Sequence, residues 1–501
     1  MSADALNAAR TALAGRPAWL VGGAPRDRAL GRDVLDVDVV IDGDTAAAAR
    51  AVAHAAGRAA CFALSEEFGA WRVVARDHSW QVDVEPLRGG SLEADLALRD
   101  FTVNAIAEPL SGGAPIDPLG GLADLEDRRL RMAGPAAFAD DPLRVLRLVR
   151  IAIELDLRPE STTLTAARAH ADGLYRVSGE RVFMELRRIL AAPLALRGLE
   201  LMGDVGATAA VLPELEALRG VEQSRFHHLD VYGHTLEVLE RTIALQADPA
   251  ASLDGGLGRR TDTGVLEERA TEVGQGEGAA DQDAIDAAAG QELVALLTEP
   301  LADGLTRGEA LRWGALLHDA AKPLTRAVRP SDGRVTFIGH DVRGAELAQT
   351  VLGRLRTSER LRAHVAALVR HHLRAGFLVH EPQPLSLRTV FRYLRACSPV
   401  EVDVTLLSVA DRLATRGDRA QEAIDAHLCV ARRLLAQALP FRSGGPPAPL
   451  WRGDELARTL SISLGPRVGE LLEELAEAQY AGEVLTREQA LTYARSLSET
   501  D

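Results

Sequence analysis

One short run near the N-terminus constrains this chain more than any other segment. Val21–Ile41 reads VGGAPRDRALGRDVLDVDVVI: an apolar run ends in a Gly-Gly turn, a helix opens at Arg26-Asp27, and a second apolar run carries Asp36 and Asp38. Residues i and i+2 of a strand point to the same face, so the two carboxylates project together. On its own, a DxD pair more often belongs to an ordinary half-buried strand whose acidic side chains face solvent. With a phosphate-binding Gly-Gly turn close upstream, it predicts a two-metal phosphoryl or nucleotidyl transfer site.

Further motifs follow in order, and together they resemble one family. GGxxRD, LGR and DxD form the first signature of the polymerase β-like nucleotidyltransferases, and in detail the chain resembles the class II tRNA nucleotidyltransferases and bacterial poly(A) polymerases. The other segments that carry this resemblance are LRDFTVNAIA (98–107), IDPLGGLADL (116–125), ADDPLRVLR (139–147) and GERVFMEL (179–186). The resemblance implies an enzyme that acts on the tRNA 3′ end with CTP and ATP as substrates.

The resemblance also implies roles for the polar residues of these motifs. Asp36 and Asp38 would hold Mg²⁺, and Asp83, on a predicted neighbouring strand, occupies the third catalytic carboxylate position. One ion would activate the RNA 3′-hydroxyl, and the other would bind the triphosphate. Leu98 stands where the family usually has an arginine, so one charged contact to the nucleotide is missing. The implied nucleotide- and phosphate-binding residues are Gly22, Gly23, Arg26, Asp27, Arg99, Asp100, Asn104, Asp141, Arg144 and Arg147.

Asp141 and Arg144 predict how the nucleotide is selected. At positions i and i+3 of a predicted helix they share a face. A carboxylate accepts hydrogen bonds and a guanidinium donates them, which matches the amino group and ring acceptor of cytosine and of adenine. Uracil and guanine present a carbonyl and a ring N–H instead. The pair could therefore select C and A without a nucleic-acid template; the competing interpretation is a salt bridge within the helix.

Residues about 223–430 carry most of the histidines. Their histidine and aspartate positions follow the H…HD…D order of the HD phosphohydrolase superfamily, each in a helical context: His234, His318-Asp319 and Asp411. His340, together with His371 or His372, fits the extra ligands of two-metal members. A lone buried histidine is usually a core residue, but this combination predicts a site for a divalent transition metal or Mg²⁺. Such a site activates water against a phosphoester. In tRNA nucleotidyltransferases with this domain, it is associated with phosphatase and 2′,3′-cyclic phosphodiesterase activity.

Sequence periodicity predicts an α+β fold. Strand-like runs at 18–21, 35–41, 71–75 and 80–84, with an Ala-rich helix at 45–56, indicate a polymerase β-like head with a mixed sheet and helices. An all-α neck, a helical HD domain and a helical tail follow. The predicted boundaries are 1–137 for the head, 138–222 for the nucleobase- and RNA-binding neck, 223–441 for the HD domain and 450–501 for the tail. Residues 248–291 show little periodicity and are predicted to be a disordered insertion.

Composition bounds the cellular setting. The chain is 47% hydrophobic and 26% charged, no apolar run reaches the ~18 residues of a membrane span, and three cysteines are widely spaced. With no signal-peptide pattern at its start, we expect a cytoplasmic protein. A net charge of −15 argues against an RNA partner only if it is evenly spread, and arginines between Arg128 and Arg150 crowd one region. We expect the tRNA 3′ end as partner, and neither DNA nor a membrane; the oligomeric state stays open.

Three functions remain open from the sequence. The leading one is a template-independent enzyme that builds or repairs the 3′-terminal CCA of tRNA. A poly(A) polymerase, or a tRNA nucleotidyltransferase that adds only A or only CC, would share its catalytic motifs, although the HD unit and the tail favour tRNA. An HD phosphohydrolase whose head only binds RNA is the third. The intact Asp36, Asp38, Asp141 and Arg144 oppose it.

Overall fold

The protein divides into two compact units, Met1–Val211 and Leu212–Asp501. The structure, a computed structural model, describes residues 2–34, 37–65, 69–223, 229–254, 287–415 and 420–498. Asp36 therefore lies outside the described residues. Among the helices in these ranges, none is long and apolar enough to cross a lipid bilayer.

A six-stranded mixed sheet forms the base of the first unit. Its strands, in the spatial order β3-β4-β5-β2-β1-β6, are β1 Ala18–Val21, β2 Val37–Ile41, β3 Ala60–Ser65, β4 Ala70–Val74, β5 Gln81–Pro86 and β6 Glu108–Pro109. β2 and β5 pair in parallel, and every other adjacent pair of strands in this sheet is antiparallel. The expected α+β head is confirmed. β3 and β6 were not predicted from the sequence.

Eleven α-helices complete the described part of the first unit: α1 Ser2–Ala12, α2 Gly23–Ala29, α3 Thr45–Ala55, α4 Leu92–Ala97, α5 Gly121–Glu126, α6 Ala137–Asp140, α7 Arg144–Glu154, α8 Ser161–His170, α9 Gly179–Ala191, α10 Ala195–Asp204 and α11 Ala207–Val211. Two 3₁₀ helices, Thr102–Asn104 and Ala171–Arg176, and a short parallel pair, β7 Arg129–Leu130 with β8 Arg158–Pro159, connect them. α3 starts at Asp44, whose side chain accepts a hydrogen bond from the Ala47 N–H and so satisfies a free helix-end donor.

Apolar side chains cover both faces of the sheet. Leu20 and Val39 face the helices α1 and α3 on one side, while Val21 and Val40 pack towards α4 on the other. Neighbouring residues of a strand point to opposite faces, so each strand contributes to both cores. The sheet is therefore rigidly held, and the loops at its ends can position polar groups.

The second unit is built almost entirely of helices. They are α12 Pro213–Glu216, α13 Val231–Ala247, α14 Pro249–Leu253, α15 Ala287–Thr298, α16 Arg307–Leu317, α17 Lys322–Thr325, α18 His340–Arg354, α19 Glu359–His371, α20 Arg374–Leu378, α21 Leu387–Cys397, α22 Glu401–Ala414, α23 Ala420–Gly444, α24 Gly453–Leu460, α25 Pro466–Tyr480 and α26 Arg487–Ser498. Two antiparallel pairs join them, β9 Pro300–Ala302 with β10 Leu305–Thr306 and β11 Ala327–Val328 with β12 Val335–Thr336. α13, α16, α19 and α22 pack together as a bundle, and α18 packs on α19. A capping box between Thr306 and Glu309 starts α16.

The predicted insertion at 248–291 is wrong at both of its ends. Residues 249–253 form α14, and α15 already begins at Ala287. The side chain of Asp248 accepts a hydrogen bond from the Ala251 N–H, which fixes the start of α14, and Leu253 is fully buried. Residues 255–286 lie outside the described residues, so the prediction for them stays a prediction.

Candidate functional site

The first site lies where the Gly-Gly turn meets the sheet. Gly22 has φ +72°, a conformation that favours glycine, and it precedes α2. A Cβ at this position would lie 2.8 Å from Asp38 Oδ2, so only glycine allows the turn to approach this carboxylate. Asp83 is the direct parallel partner of Asp38 on β5, which puts both side chains on one face. Asp38 and Asp83 are thus brought together, as the sequence predicted.

Arg72 holds the third predicted carboxylate. Its Nε and one terminal nitrogen donate to the two oxygens of Asp83 at 2.7 Å each, and the two residues are opposed on the antiparallel strands β4 and β5. Such a bidentate pair fixes the orientation of both groups. Sequence reasoning missed Arg72. Its position two residues from the strand start, with no motif around it, gave no signal.

Asp27 and Asn104 contact Arg26. The Arg26 guanidinium forms an ion pair with Asp27 at 2.8 Å and donates to Asn104 Oδ1 at 2.5 Å. Asn104 in turn donates to Asp100 Oδ1 at 3.0 Å. Two residues that the family resemblance implies as nucleotide-binding therefore also position the arginine beside them.

Buried carboxylates also hold three further arginines, Arg88, Arg99 and Arg147. Asp95, fully buried on α4, accepts hydrogen bonds from Arg88 at 3.0 Å and from Arg99 at 3.1 and 3.2 Å. Arg147 lies 3.0 Å from Asp100 Oδ2. Burial alone would raise the pKa of Asp100, but Arg147 and the hydrogen bond from Asn104 outweigh it and lower this pKa. Asp95 was missed, although its i, i+4 spacing to Arg99 is a recognisable signal.

Many of these groups line a cavity of about 420 Å³, whereas Arg72, Asp83 and Asp95 are not among its lining residues. Seven arginines and four carboxylates contribute to it, so positive side chains exceed negative ones by three. The lining residues are Gly22, Gly23, Arg26, Asp27, Asp38, Glu85, Arg88, Arg99, Asp100, Asn104, Arg144, Arg147, Arg150 and Arg188. Such a surplus of guanidinium groups suits a polyphosphate. The sequence did not assign Glu85, Arg88 or Arg188 to the site.

Not every arginine of the crowded 128–150 region reaches the cavity. Arg129 and Arg131 pair with the buried Asp124, and Arg128 pairs with Asp156 on the surface. These contacts tie together β7, α5 and the loop before β8. Of the arginines in this region, those that line the cavity lie on one face of α7.

The predicted helical pair of Asp141 and Arg144 is wrong in its geometry. Asp141 has an extended backbone (φ −147°, ψ 101°) and precedes α7, which begins at Arg144. Asp141 Oδ2 accepts from Arg181 at 2.7 Å, whereas Arg144 donates to the backbone oxygens of Leu98 and Ala137 at 2.9 and 3.0 Å. The salt bridge within a helix is therefore wrong as well. Arg144 lines the cavity, and the Leu98 side chain next to it is exposed.

A second cluster lies in the helical bundle of the second unit. Six residues from five helices or their ends meet there: His234 on α13, His318 and Asp319 after α16, His340 at the start of α18, His372 after α19 and Asp411 on α22. Asp319 is central, because His340 Nε2 lies 3.3 Å from one of its oxygens and His318 Nε2 lies 3.2 Å from the other. His234 Nε2 lies 3.0 Å from Asp411 Oδ1, and His340 Nε2 lies 3.3 Å from His372 Nε2.

His371 is not part of this cluster. It lies at the end of α19, where its Nδ1 accepts a hydrogen bond from Arg374 Nε at 2.9 Å. His372, the next residue, is buried and faces His318 and His340. Consecutive helical residues point about 100° apart, so only one of the two histidines can face the bundle. The prediction of His371 is therefore wrong, and His372 takes this place.

The cluster offers the donor atoms of a candidate metal site. His318, His340 and His372 each place Nδ1 at 2.7–2.8 Å from a backbone carbonyl three residues earlier. A carbonyl oxygen can only accept, so these contacts favour the tautomer with the proton on Nδ1, in which each Nε2 lone pair points into the cluster. Within the described residues, His318 Nε2 and Asp319 Oδ2 are buried atoms without a well-formed hydrogen bond. Two groups of possible ligands, one with His234 and His318 and one with His340 and His372, share Asp319.

The electrostatics of the cluster agree with this role. Burial, assisted by His318 and His340, lowers the pKa of His372 to about 4, so its imidazole is neutral near pH 7. Burial alone would raise the pKa of Asp319, but His318 and Lys322 more than offset this and hold it well below its usual range. Neutral imidazoles and ionised carboxylates are the forms that bind metals.

Comparison with known proteins places both sites in a family. Family models match residues 18–131 (Poly A polymerase head domain), 156–218 (Probable RNA and SrmB-binding site of polymerase A) and 292–416 (HD domain). An A-adding tRNA nucleotidyltransferase of Deinococcus radiodurans is 36% identical over 96% of each chain. A CC-adding tRNA nucleotidyltransferase of Thermus thermophilus is 32% identical over 95% of this chain and 93% of that protein.

Solved structures agree with the fold. A Thermotoga maritima CCA-adding enzyme complexed with tRNA superimposes with a TM-score of 0.58 at 19% identity, over 98% of this chain and 94% of that chain. The head, neck and HD matches occur in the order expected from the sequence. The chain therefore belongs to the CCA-adding tRNA nucleotidyltransferase and poly(A) polymerase family of enzymes and contains an HD domain.

Proposed function

We propose that the first unit transfers nucleotides from CTP and ATP to the 3′ end of tRNA and so builds or repairs the terminal CCA. The observation that carries the proposal is the Gly22 turn, which approaches the Asp38 carboxylate in a cavity lined by seven arginines. A triphosphate needs both features, because cations must bind its oxygens while a carboxylate lies near the reacting phosphorus.

Asp38 and Asp83, joined by Asp36 as the sequence implies, are the residues that would hold Mg²⁺. Carboxylate oxygens side by side on two strands are ligands that this ion prefers. Bound Mg²⁺ supplies charge neutralisation for the triphosphate and activation of the 3′-hydroxyl. Arg26, Arg99 and Arg147 bind the phosphates from fixed positions, since each is held by a carboxylate. Little side-chain freedom is then lost on binding.

Arg144 and Asp141 select the base in this proposal. Arg144 is anchored by backbone oxygens and offers its remaining N–H groups to the cavity. Arg181 and the Leu143 N–H orient the Asp141 carboxylate, which keeps further lone pairs for an amino group. Cytosine and adenine fit such a pair, whereas uracil and guanine do not.

A second candidate is a division of labour in which this chain adds only the terminal A. It is favoured by one observation: the Deinococcus radiodurans relative at 36% identity over 96% of its length is an A-adding enzyme. The two candidates are separated by incubation with tRNAs that end before CCA, after C and after CC, with CTP or ATP alone and together. Sequencing of the products reveals full CCA synthesis, A addition to CC ends only, or long A tails that would identify a poly(A) polymerase.

For the second unit we propose metal-dependent hydrolysis of phosphoesters. The residues that would hold metal ions form two groups that share Asp319, with His234, His318 and Asp411 in one and His340 and His372 in the other. Bound ions would supply an activated water and charge stabilisation for the phosphoryl oxygens. Lys322 Nζ lies 2.7 Å from Asp319 and orients this shared carboxylate. The proposed substrates are phosphomonoesters and 2′,3′-cyclic phosphates.

Removal of the Asp38 carboxylate should abolish nucleotide addition. We expect Asp38→Ala, and likewise Asp36→Ala, to lower incorporation of CTP and ATP at least about 100-fold, because a metal ligand is lost. Asp42→Ala is the matched control, since Asp42 follows the same strand on the exposed side. The assay is label incorporation into tRNA with Mg²⁺. Near-normal incorporation by Asp38→Ala would contradict the assignment.

Removal of the base-selecting groups should impair discrimination more than chemistry. Asp141→Ala and Arg144→Ala should each reduce the preference for CTP and ATP over UTP and GTP by about 10-fold or more, as expected for loss of an edge contact. Arg128→Ala is the control, because Arg128 pairs with Asp156 on the surface. Competition between the four nucleotides measures the preference. Unchanged preference in both variants would make Asp141 and Arg144 structural.

Two adjacent histidines provide a sharp test of the metal cluster. His372→Ala should reduce the stoichiometry of tightly bound Mn²⁺ or Co²⁺ from two ions to one, because one Nε2 ligand disappears. His371→Ala should leave it unchanged, since this ring binds Arg374 instead. Calorimetric titration of the metal-stripped protein gives the stoichiometry. Loss of one ion in His371→Ala, with no loss in His372→Ala, would show that His371 and not His372 is the metal ligand.

The two activities should be separable. His318→Ala with Asp319→Ala should eliminate hydrolysis of 2′,3′-cyclic nucleotides assayed with Mg²⁺, Mn²⁺, Ni²⁺ or Co²⁺. Nucleotide addition should stay within about twofold, because the first unit carries its own carboxylates. Loss of both activities in the double variant would disprove separability. Absence of metal-stimulated hydrolysis in the unaltered protein would reduce the cluster to a scaffold.

A further inference from the structure

A small hairpin starts and ends at the metal cluster of the second unit. It consists of residues 322–343 and contains α17, the paired strands β11 and β12, and the start of α18. At its first residue, Lys322 Nζ lies 2.7 Å from one Asp319 oxygen, and towards its end His340 Nε2 lies 3.3 Å from the other. Both ends of this segment, the basic hairpin, therefore contact the same central carboxylate.

The basic hairpin differs in charge from the chain that carries it. It has five basic residues and two acidic ones, so its net charge is +3 in a protein with a net charge of −15. The four arginines of the hairpin are all exposed: Arg326, Arg329, Arg334 and Arg343. A local positive surface on an acidic protein attracts polyanions and repels other acidic surfaces of the same protein.

The basic hairpin also exposes apolar side chains. Leu324 is 64% exposed, Val328 53% and Ile338 85%. The strands of this segment are only two residues long. Two-stranded ribbons of this length are marginal without support, and their apolar residues usually turn towards a core. Apolar groups exposed together beside a site commonly contact a ligand. Here they are interspersed along the chain with the arginines of a hairpin whose two ends contact Asp319.

We propose that the basic hairpin binds the last nucleotides of an RNA strand and delivers its terminal phosphate to the metal cluster. This inference rests on the proposed hydrolase function. Single-stranded RNA offers what the hairpin requires: a phosphate for each arginine, and base faces that pack on apolar side chains. A free mononucleotide has one phosphate, which the cluster itself binds, so it gains nothing from the arginines. The substrate class is therefore the phosphorylated or 2′,3′-cyclic end of an RNA.

The first test compares an RNA end with a mononucleotide. Arg329→Ser with Arg334→Ser should lower kcat/KM about tenfold for an oligonucleotide of about ten residues ending in a 2′,3′-cyclic phosphate, mainly through KM. For 2′,3′-cyclic AMP we expect a change below about twofold. For the oligonucleotide, the slope of log(kcat/KM) against log(salt concentration) should become shallower by about 1.4, since each lost phosphate contact to single-stranded RNA contributes about 0.7 to the slope.

A matched control removes two arginines elsewhere in the same unit. Arg452→Ser with Arg458→Ser changes the net charge equally, and these residues are 82% and 75% exposed at α24, which packs on α25. This variant should hydrolyse both substrates as the unaltered protein does. Equal effects of the two double variants, or equal effects on the two substrates, would overturn the proposal.

The second test does not depend on hydrolysis. Arg326 and Arg334 are exposed trypsin sites in the hairpin, whereas Pro330 blocks cleavage after Arg329. The oligonucleotide should slow cleavage at both sites, and 2′,3′-cyclic AMP should not. Mass spectrometry of the fragments reports each site separately. Protection without hydrolysis would retain the RNA-binding hairpin and reject the hydrolase. Unchanged cleavage, or protection by phosphatidylserine vesicles in place of RNA, would overturn the proposal.

Discussion

The cationic cavity of the first unit depends on the carboxylates buried around it. Seven guanidinium groups in one cavity repel each other, and those that are largely buried, such as Arg99 and Arg150, also lose solvation. Asp95 compensates two of them, Asp100 a third, and Glu154 contacts both Arg150 and Arg188. A buried charge is tolerated when it is paired and hydrogen-bonded. These pairs hold the arginines in place before any phosphate is present, so the order of the site is part of the fold.

The sequence predicted the chemical groups of this site better than their partners. The carboxylates, the Gly-Gly turn and the arginines could be identified because the motifs keep them close along the chain. Arg72 could not, because its contact with Asp83 forms only in the folded sheet. Asp95 was recoverable from its i, i+4 spacing to Arg99, whereas its contact with Arg88 depends on the fold. Asp141 was recoverable: Pro142 follows it, and a residue before proline avoids the helical conformation. That rule, applied to Pro142, excludes the helical pair.

Similar limits explain the differences elsewhere in the fold. β3 lies at the edge of the sheet, with Phe62 and Leu64 partly exposed, so it lacks the clear alternation that identified β2 and β5. His371 and His372 cannot be distinguished by residue type, because the choice depends on where α19 ends and which side faces the bundle. The H…HD…D order could be recognised without this information. Its members lie on separate helices and converge only through the packing of α13, α16 and α22.

Under the proposed function, the charge patterns of the two sites imply different ways of acquiring metal. In the first unit Asp83 is bound by Arg72, and arginines outnumber carboxylates in the cavity, so a free divalent cation is repelled. A nucleotide triphosphate reverses that balance, and Mg²⁺ binds best together with it. In the second unit the neutral His372 and the ionised Asp319 are already in forms that bind metals, so the proposed ions would bind there without substrate. A cavity suited to one requirement cannot meet the other, which is a physical reason for the chain to keep two separate sites.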